Sequence, residues 1–131
     1  MSHFTRVATR IVDETCLRTA LTTAGYSVPA GPATIGGWNG QSRKATVGIP
    51  DLTHGYGVGF DWEASHNMFS AVADWSELAV HGVHRGQFLN KVTQLYGVAV
   101  ARSTMEPQGF SVVEQTDQRD GSIRILLRRV S

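Results

Sequence analysis

RKATVGI, GVGFDW and FSAVADW, at residues 43–49, 57–62 and 69–75, each alternate in side-chain character with period two. Successive side chains of a strand point to opposite faces, so each stretch reads as a strand with one buried face. Three in succession, joined by short connections, read as an antiparallel meander. In the first, Ala45, Val47 and Ile49 alternate with Thr46 and Gly48; in the second, Val58, Phe60 and Trp62 share a face opposite Gly57, Gly59 and Asp61. In the third, Phe69, Ala71, Ala73 and Trp75 line up against Ser70, Val72 and Asp74. Alternation therefore assigns Phe60, Trp62 and Trp75 to the core and turns Asp61 and Asp74 outward to water.

The flanking segments supply what covers such a sheet. HFTRVATRIV, rich in β-branched residues, reads as a first strand. Asp13 offers an N-cap oxygen, and Leu17, Ala20, Leu21 and Ala24 follow at helical spacing, with Gly25 as the stop, giving a short helix over 13–24. Residues 27–42 are rich in glycine and proline and read as turns, with a short strand around 33–35. SELAVHGVHRG fits either an irregular connection or a helical turn. The strongest helical stripe is Phe88, Leu89, Val92, Leu95, Tyr96, Ala99 and Val100, ended by Pro107 and Gly109; Gly97 is expected to allow close packing against the sheet. The tail reads as a hairpin turning at Asp120-Gly121, with Asp117 opposite Arg124. The order β-α-(β)-βββ-α-ββ predicts an α+β fold: an antiparallel sheet of about five to six strands with two helices on one face.

At 131 residues the chain is expected to form a single domain with a real core. Twelve basic against eleven acidic residues give a net charge of +1, too balanced for non-specific binding to DNA or anionic membranes. The lone Cys16 permits no internal disulfide and no cysteine-rich zinc site. No signal-like or membrane-spanning apolar run occurs, so a cytoplasmic location is expected.

The segments MSHFTRVATRIVD, GGWNGQSRKA, GVGFDW with VADW, FLNKVTQLYGV and GFSVVEQTDQRDGSIRILLRR follow one another in an order that resembles the ycf-thirty-five-like proteins of cyanobacteria and algal chloroplasts. The resemblance covers nearly the whole chain; Phe4, Gly40, Gln41, Phe60, Asp74, Trp75, Leu89, Asn90 and Tyr96 are among the residues that carry it. It implies no activity, no cofactor and no catalytic set. What it suggests, by association alone, is an accessory role beside an AAA-type ATPase or a small ferredoxin-like protein. The histidines of HGVHRG and the glycine-rich LTHGYGVG depart from the family pattern.

Several sites compete on residue chemistry. The loop GGWNGQSRK, with its glycine-exposed amides and the Arg43-Lys44 pair, leads as a partner-binding surface made of Trp38, Asn39, Gln41, Arg43 and Lys44, together with an open sheet edge. It meets no P-loop or dinucleotide pattern. The alternative is a small-molecule-binding or enzymatic pocket between sheet and helices, lined by Trp38, Trp62, Asp74, Trp75, Tyr96 and His84. His81 and His84, three apart, with His54 and His66 nearby, are weak metal candidates against a reading as solvated loop histidines. Asp61 and Asp74 as an acid/base pair need desolvation that alternation does not give them. Cys16, just inside a helix N-terminus, reads as a passive, partly buried thiol. Arg6, Arg10, Arg128 and Arg129 would make a basic strip if the first and last strands are neighbours. The reading leans away from catalysis and towards protein binding.

Overall fold

The computed structural model describes residues 3–119 and 122–130. Along the chain run β1 (Thr5–Ala8), α1 (Glu14–Thr23), β2 (Ala33–Gly36), β3 (Ser42–Ala45), β4 (Val47–Thr53), β5 (Tyr56–Glu63), β6 (Met68–Ala73), α2 (Trp75–Val80), α3 (Arg85–Met105), β7 (Phe110–Asp117) and β8 (Ile123–Arg129). The class is α+β, as expected. The strands, however, divide into an antiparallel four-stranded sheet ordered β1-β6-β5-β4, a ribbon β2-β3 and a hairpin β7-β8.

Register explains the core. Val47, Phe60, Ala71 and Val7 lie side by side across the sheet, as do Ile49, Val58, Ala73 and Thr5. On this face the sheet strands meet Leu17 and Leu21 of α1 and Phe88 and Val92 of α3 in one cluster. Each helix end has a local cause: the Asp13 carboxylate accepts from the Cys16 amide at 2.9 Å, and Gly109 takes the left-handed conformation (φ 90°) beyond α3.

The opposite face is covered too, by the β2-β3 ribbon. Gly48 and Gly59 are neighbours in register, and their missing side chains leave a trough into which the ribbon settles. A Cβ on Gly59 would stand 2.5 Å from the Ala45 Cβ, and one on Gly48 3.2 Å from the Ala33 Cβ. Ile35 is fully buried between the two layers. This arrangement breaks the apparent single strand RKATVGI at Thr46: Ala45 belongs to the ribbon and Val47 to the sheet.

Four further expectations are corrected. Gly97 faces open space and makes no close approach to the sheet. Trp62 is 44% exposed, because it lies beyond the last residue of β5 that β4 pairs with; it packs against Phe69 in a T-shaped contact, 5.2 Å between centroids. The first and last strands belong to different sheets, so Arg6 and Arg10 form no strip with Arg128 and Arg129. In the hairpin, Asp117 pairs with Ile123 and Arg124 with Thr116, one step from the expected register. The Gln118 amide donates to the Ser122 carbonyl, so three positions, not two, separate the closing pair. The Asp120-Gly121 turn itself lies outside the described residues.

Candidate functional site

Asp74, the most deeply buried carboxylate among the described residues, organises the leading site. Alternation had turned it to water, but β6 ends at Ala73 and Asp74 is the N-cap of α2, so strand geometry no longer applies. One carboxylate oxygen accepts from the Glu77 amide at 3.4 Å and the other from the Trp38 amide at 3.1 Å. A single side chain thus starts a helix and pins the GGWNGQ loop to it. The motif Asp-x-x-Glu at 74–77 is a capping-box spacing, the signal by which sequence could have found this.

The loop is built tightly below and left open above. Gly36 runs against the Gly55 carbonyl, and a Cβ on Gly37 would stand 2.7 Å from the Phe4 ring, so neither position has room for a side chain. Trp38–Gly40 form a single 3₁₀ turn in which Asn39 takes φ 57° and Gly40 φ 73°. Asparagine tolerates this left-handed conformation better than most residues. The Gly37 amide donates to the Gln41 carbonyl at 2.8 Å and the Gln41 amide to the Trp38 carbonyl at 3.2 Å, closing the turn. Above this frame Trp38 is 40% exposed, its neighbours Asn39, Gly40 and Gln41 are exposed, and so is Lys44 further along β3. Next to Asp74, Trp75 is buried, and its indole N–H donates to the Thr5 carbonyl at 3.0 Å, beside Phe4. Phe4, Gly40, Gln41, Asp74 and Trp75, which help carry the family resemblance, therefore meet in one small region.

A second feature adjoins it through the Gly36–Gly55 approach. His54, at φ 52° in the β4-β5 turn, stacks on His81 with 3.9 Å between ring centroids, and Tyr56 lies against His81 at 5.6 Å. Partial desolvation, reinforced by the charge of Glu77 and by a hydrogen bond to its carboxylate, pushes the Tyr56 phenol above its ordinary range. Sequence spacing had paired His81 with His84; the fold pairs His81 with His54, and His84 lies exposed at the N-cap of α3. Among the described residues no three metal-ligating side chains converge.

Arg43 is not the free cation that the sequence suggested. Its guanidinium donates to Asp61 at 2.6 Å; Asp61 also faces Arg6 at 3.6 Å and accepts from the Thr46 amide at 3.3 Å, while Arg6 bonds Glu63 at 2.8 Å. Asp61 thus clamps the ribbon to the sheet as part of a charge cluster and does not point out to bulk water. Of the loop's two basic residues, Lys44 alone is exposed.

The alternative pocket is not assembled. Trp75 and Asp74 are buried and engaged, Trp62 sits at the end of the sheet, and His84 heads α3. The Tyr96 hydroxyl accepts from the Val12 and Asp13 amides, both at 3.0 Å, and so ties α3 to the start of α1. An open groove of about 500 Å³ does lie elsewhere, between the ends of β1 and β6 and helix α3, lined by Ala8, Arg10, Met68, Leu89, Asn90 and Thr93. Cys16 is buried, 3.7 Å from the Ser103 hydroxyl; burial is the main cause that raises its pKa above the ordinary 9.0. No helix among the described residues is long and apolar enough to cross a membrane.

These features define a small α+β protein that holds an aromatic loop rigidly at its surface. The chain belongs to the family described as "Protein of unknown function (DUF1257)", whose model matches residues 20–126. It is 31% identical over 134 residues to the "Uncharacterized protein ycf35" of Pyropia yezoensis, covering 98% of both chains. The proteins of the same name from Cyanophora paradoxa and Guillardia theta are each 28% identical, over 130 and 131 residues, again at 98% of both chains. No solved structure matches.

Proposed function

We propose that this chain is a non-catalytic binding module whose partner is another protein, held on the surface formed by Trp38, Asn39, Gln41 and Lys44. One observation carries the reading: an exposed indole stands on a loop whose backbone is fixed from beneath by a buried carboxylate. Tryptophan is among the residues that dominate interface energetics, and a loop ordered beforehand loses little entropy on docking. The His54–His81–Tyr56 stack borders this surface and extends it with further aromatic area. Because that stack is made of residues outside the family pattern, it is the part of the surface that would distinguish this chain's partner from those of its relatives.

The first partners to test are the two classes that the family resemblance suggests, an AAA-type ATPase and a small ferredoxin-like protein. Either is purified from the host and titrated against the chain. Trp38→Ala is expected to weaken the complex by about thirtyfold or more, the scale of an interface hot spot. Lys44→Glu is the charge test, whereas reversing Arg43 would break its pair with Asp61 and confound binding with folding. Equal affinity for wild type and both variants would refute the reading.

A further inference from the structure

The β7-β8 hairpin is a sheet separate from the other two, and the long element it chiefly leans on is α3. A two-stranded hairpin by itself is marginally stable, and this one keeps much apolar surface in water. Val113, Leu126 and Val130 are 49, 52 and 59% exposed, three of the seven large exposed hydrophobic residues of the described chain. β8 alternates cleanly: Ile123, Ile125 and Leu127 are half-buried on one face, and Arg124, Leu126 and Arg128 are exposed on the other. A concavity of about 280 Å³ opens beside Arg124 and Leu126, bounded also by Thr116 and Gln118. Arg129 lies over the Phe110 ring at 4.7 Å, so β8 carries three arginines and no acidic residue across 123–129.

We propose that the outer edge of β8 is a docking strand for an acidic extended segment of another protein, which joins the hairpin as a third strand. Among the described residues β8 has a single hydrogen-bonded neighbour, β7, so its other edge can pair with an incoming chain. A strand added there has β8 as its cross-strand partner. Carboxylates would lie opposite Arg124 and Arg128, and an apolar residue opposite Leu126 would cover it. The same arginines repel a second β8, so the edge selects for charge and discourages self-association. A single nucleic-acid strand fits less well, because it needs stacking surfaces, and β8 has no aromatic residue while the Phe110 ring is covered by Arg129.

The test is an eight-residue peptide with glutamates placed opposite Arg124 and Arg128 and valines between them, titrated into the full chain and followed by amide chemical shifts. The expected result is saturable shifts confined to β8 and its flanks, with new exchange protection along the outer edge. Arg124→Glu with Arg128→Glu should weaken binding about tenfold, since two attractive cross-strand pairs become repulsive. That variant should also accept a peptide bearing lysines in place of the glutamates. Unchanged β5 and β6 amide shifts show that it is folded, and Leu126→Asp serves as a second, independent variant with the same expected loss. Absent binding at millimolar peptide, equal binding of the lysine peptide by wild type, displacement by short oligothymidylate, or self-association through this edge would each overturn the proposal.

Discussion

The sheet β1-β6-β5-β4 and the hairpin β7-β8 share an alternating pattern in sequence and end in opposite surroundings. Phe60, at the middle of the sheet, is fully buried, with helices on its own face and a ribbon over the face behind. Leu126, at the middle of β8, is 52% exposed. The difference does not lie in the strands themselves. Gly48 and Gly59 leave space on the back of the sheet that Ile35, Ala33 and Ala45 fill, whereas the hairpin offers arginines where the sheet offers glycines. Alternation therefore specifies a strand, and the small or charged residues between the apolar ones decide whether its second face is covered by this chain or left for another.

That contrast can be broken or sharpened by substitution. Phe60→Ala is expected to cost about 3–5 kcal/mol in urea denaturation, as for other fully buried aromatics. Gly59→Ala should cost about 1–3 kcal/mol, because its new Cβ meets the Ala45 Cβ, which cannot swing aside, and the ribbon must lift. Asp74→Ala leaves two amides without their acceptor and should cost about 1–2 kcal/mol. Leu126→Ser should change stability by no more than about 0.5 kcal/mol, and a loss on the scale of Phe60→Ala would show that the hairpin is core. The smallest effect is at Cys16. With its folded pKa raised, the folded state holds the proton longer than the unfolded one, so its contribution is complete below about 9.0 and declines as pH rises beyond that. A Cys16→Ser chain should lack that alkaline decline, and in wild type the thiol should be alkylated far more slowly than in urea.

Much of this was legible in sequence wherever local chemistry decides. The helix spanning 13–24, the long helix from Phe88, its end at Pro107 and Gly109, the short strand near Ala33 and the hairpin all lie where period and caps put them. What was hidden depended on neighbours distant in sequence. Asp74 read as the next outward position of a strand because nothing local announced that Trp38 needed an acceptor. Trp62 read as core because alternation gives a face and not the end of a sheet. Arg43 read as a free cation because its partner Asp61 lies 18 residues away. The capping-box spacing at 74–77 was the one available warning, and it would have corrected Asp74 alone.

A buried carboxylate holds the exposed indole in place, and hydrogen exchange at the Trp38 amide tests this most directly. In wild type that amide should exchange as slowly as those of β6, and Asp74→Ala should bring it to the rate of an open loop while the β5 amides stay protected. A Trp38 amide that already exchanges at loop rates in the wild-type chain would contradict it.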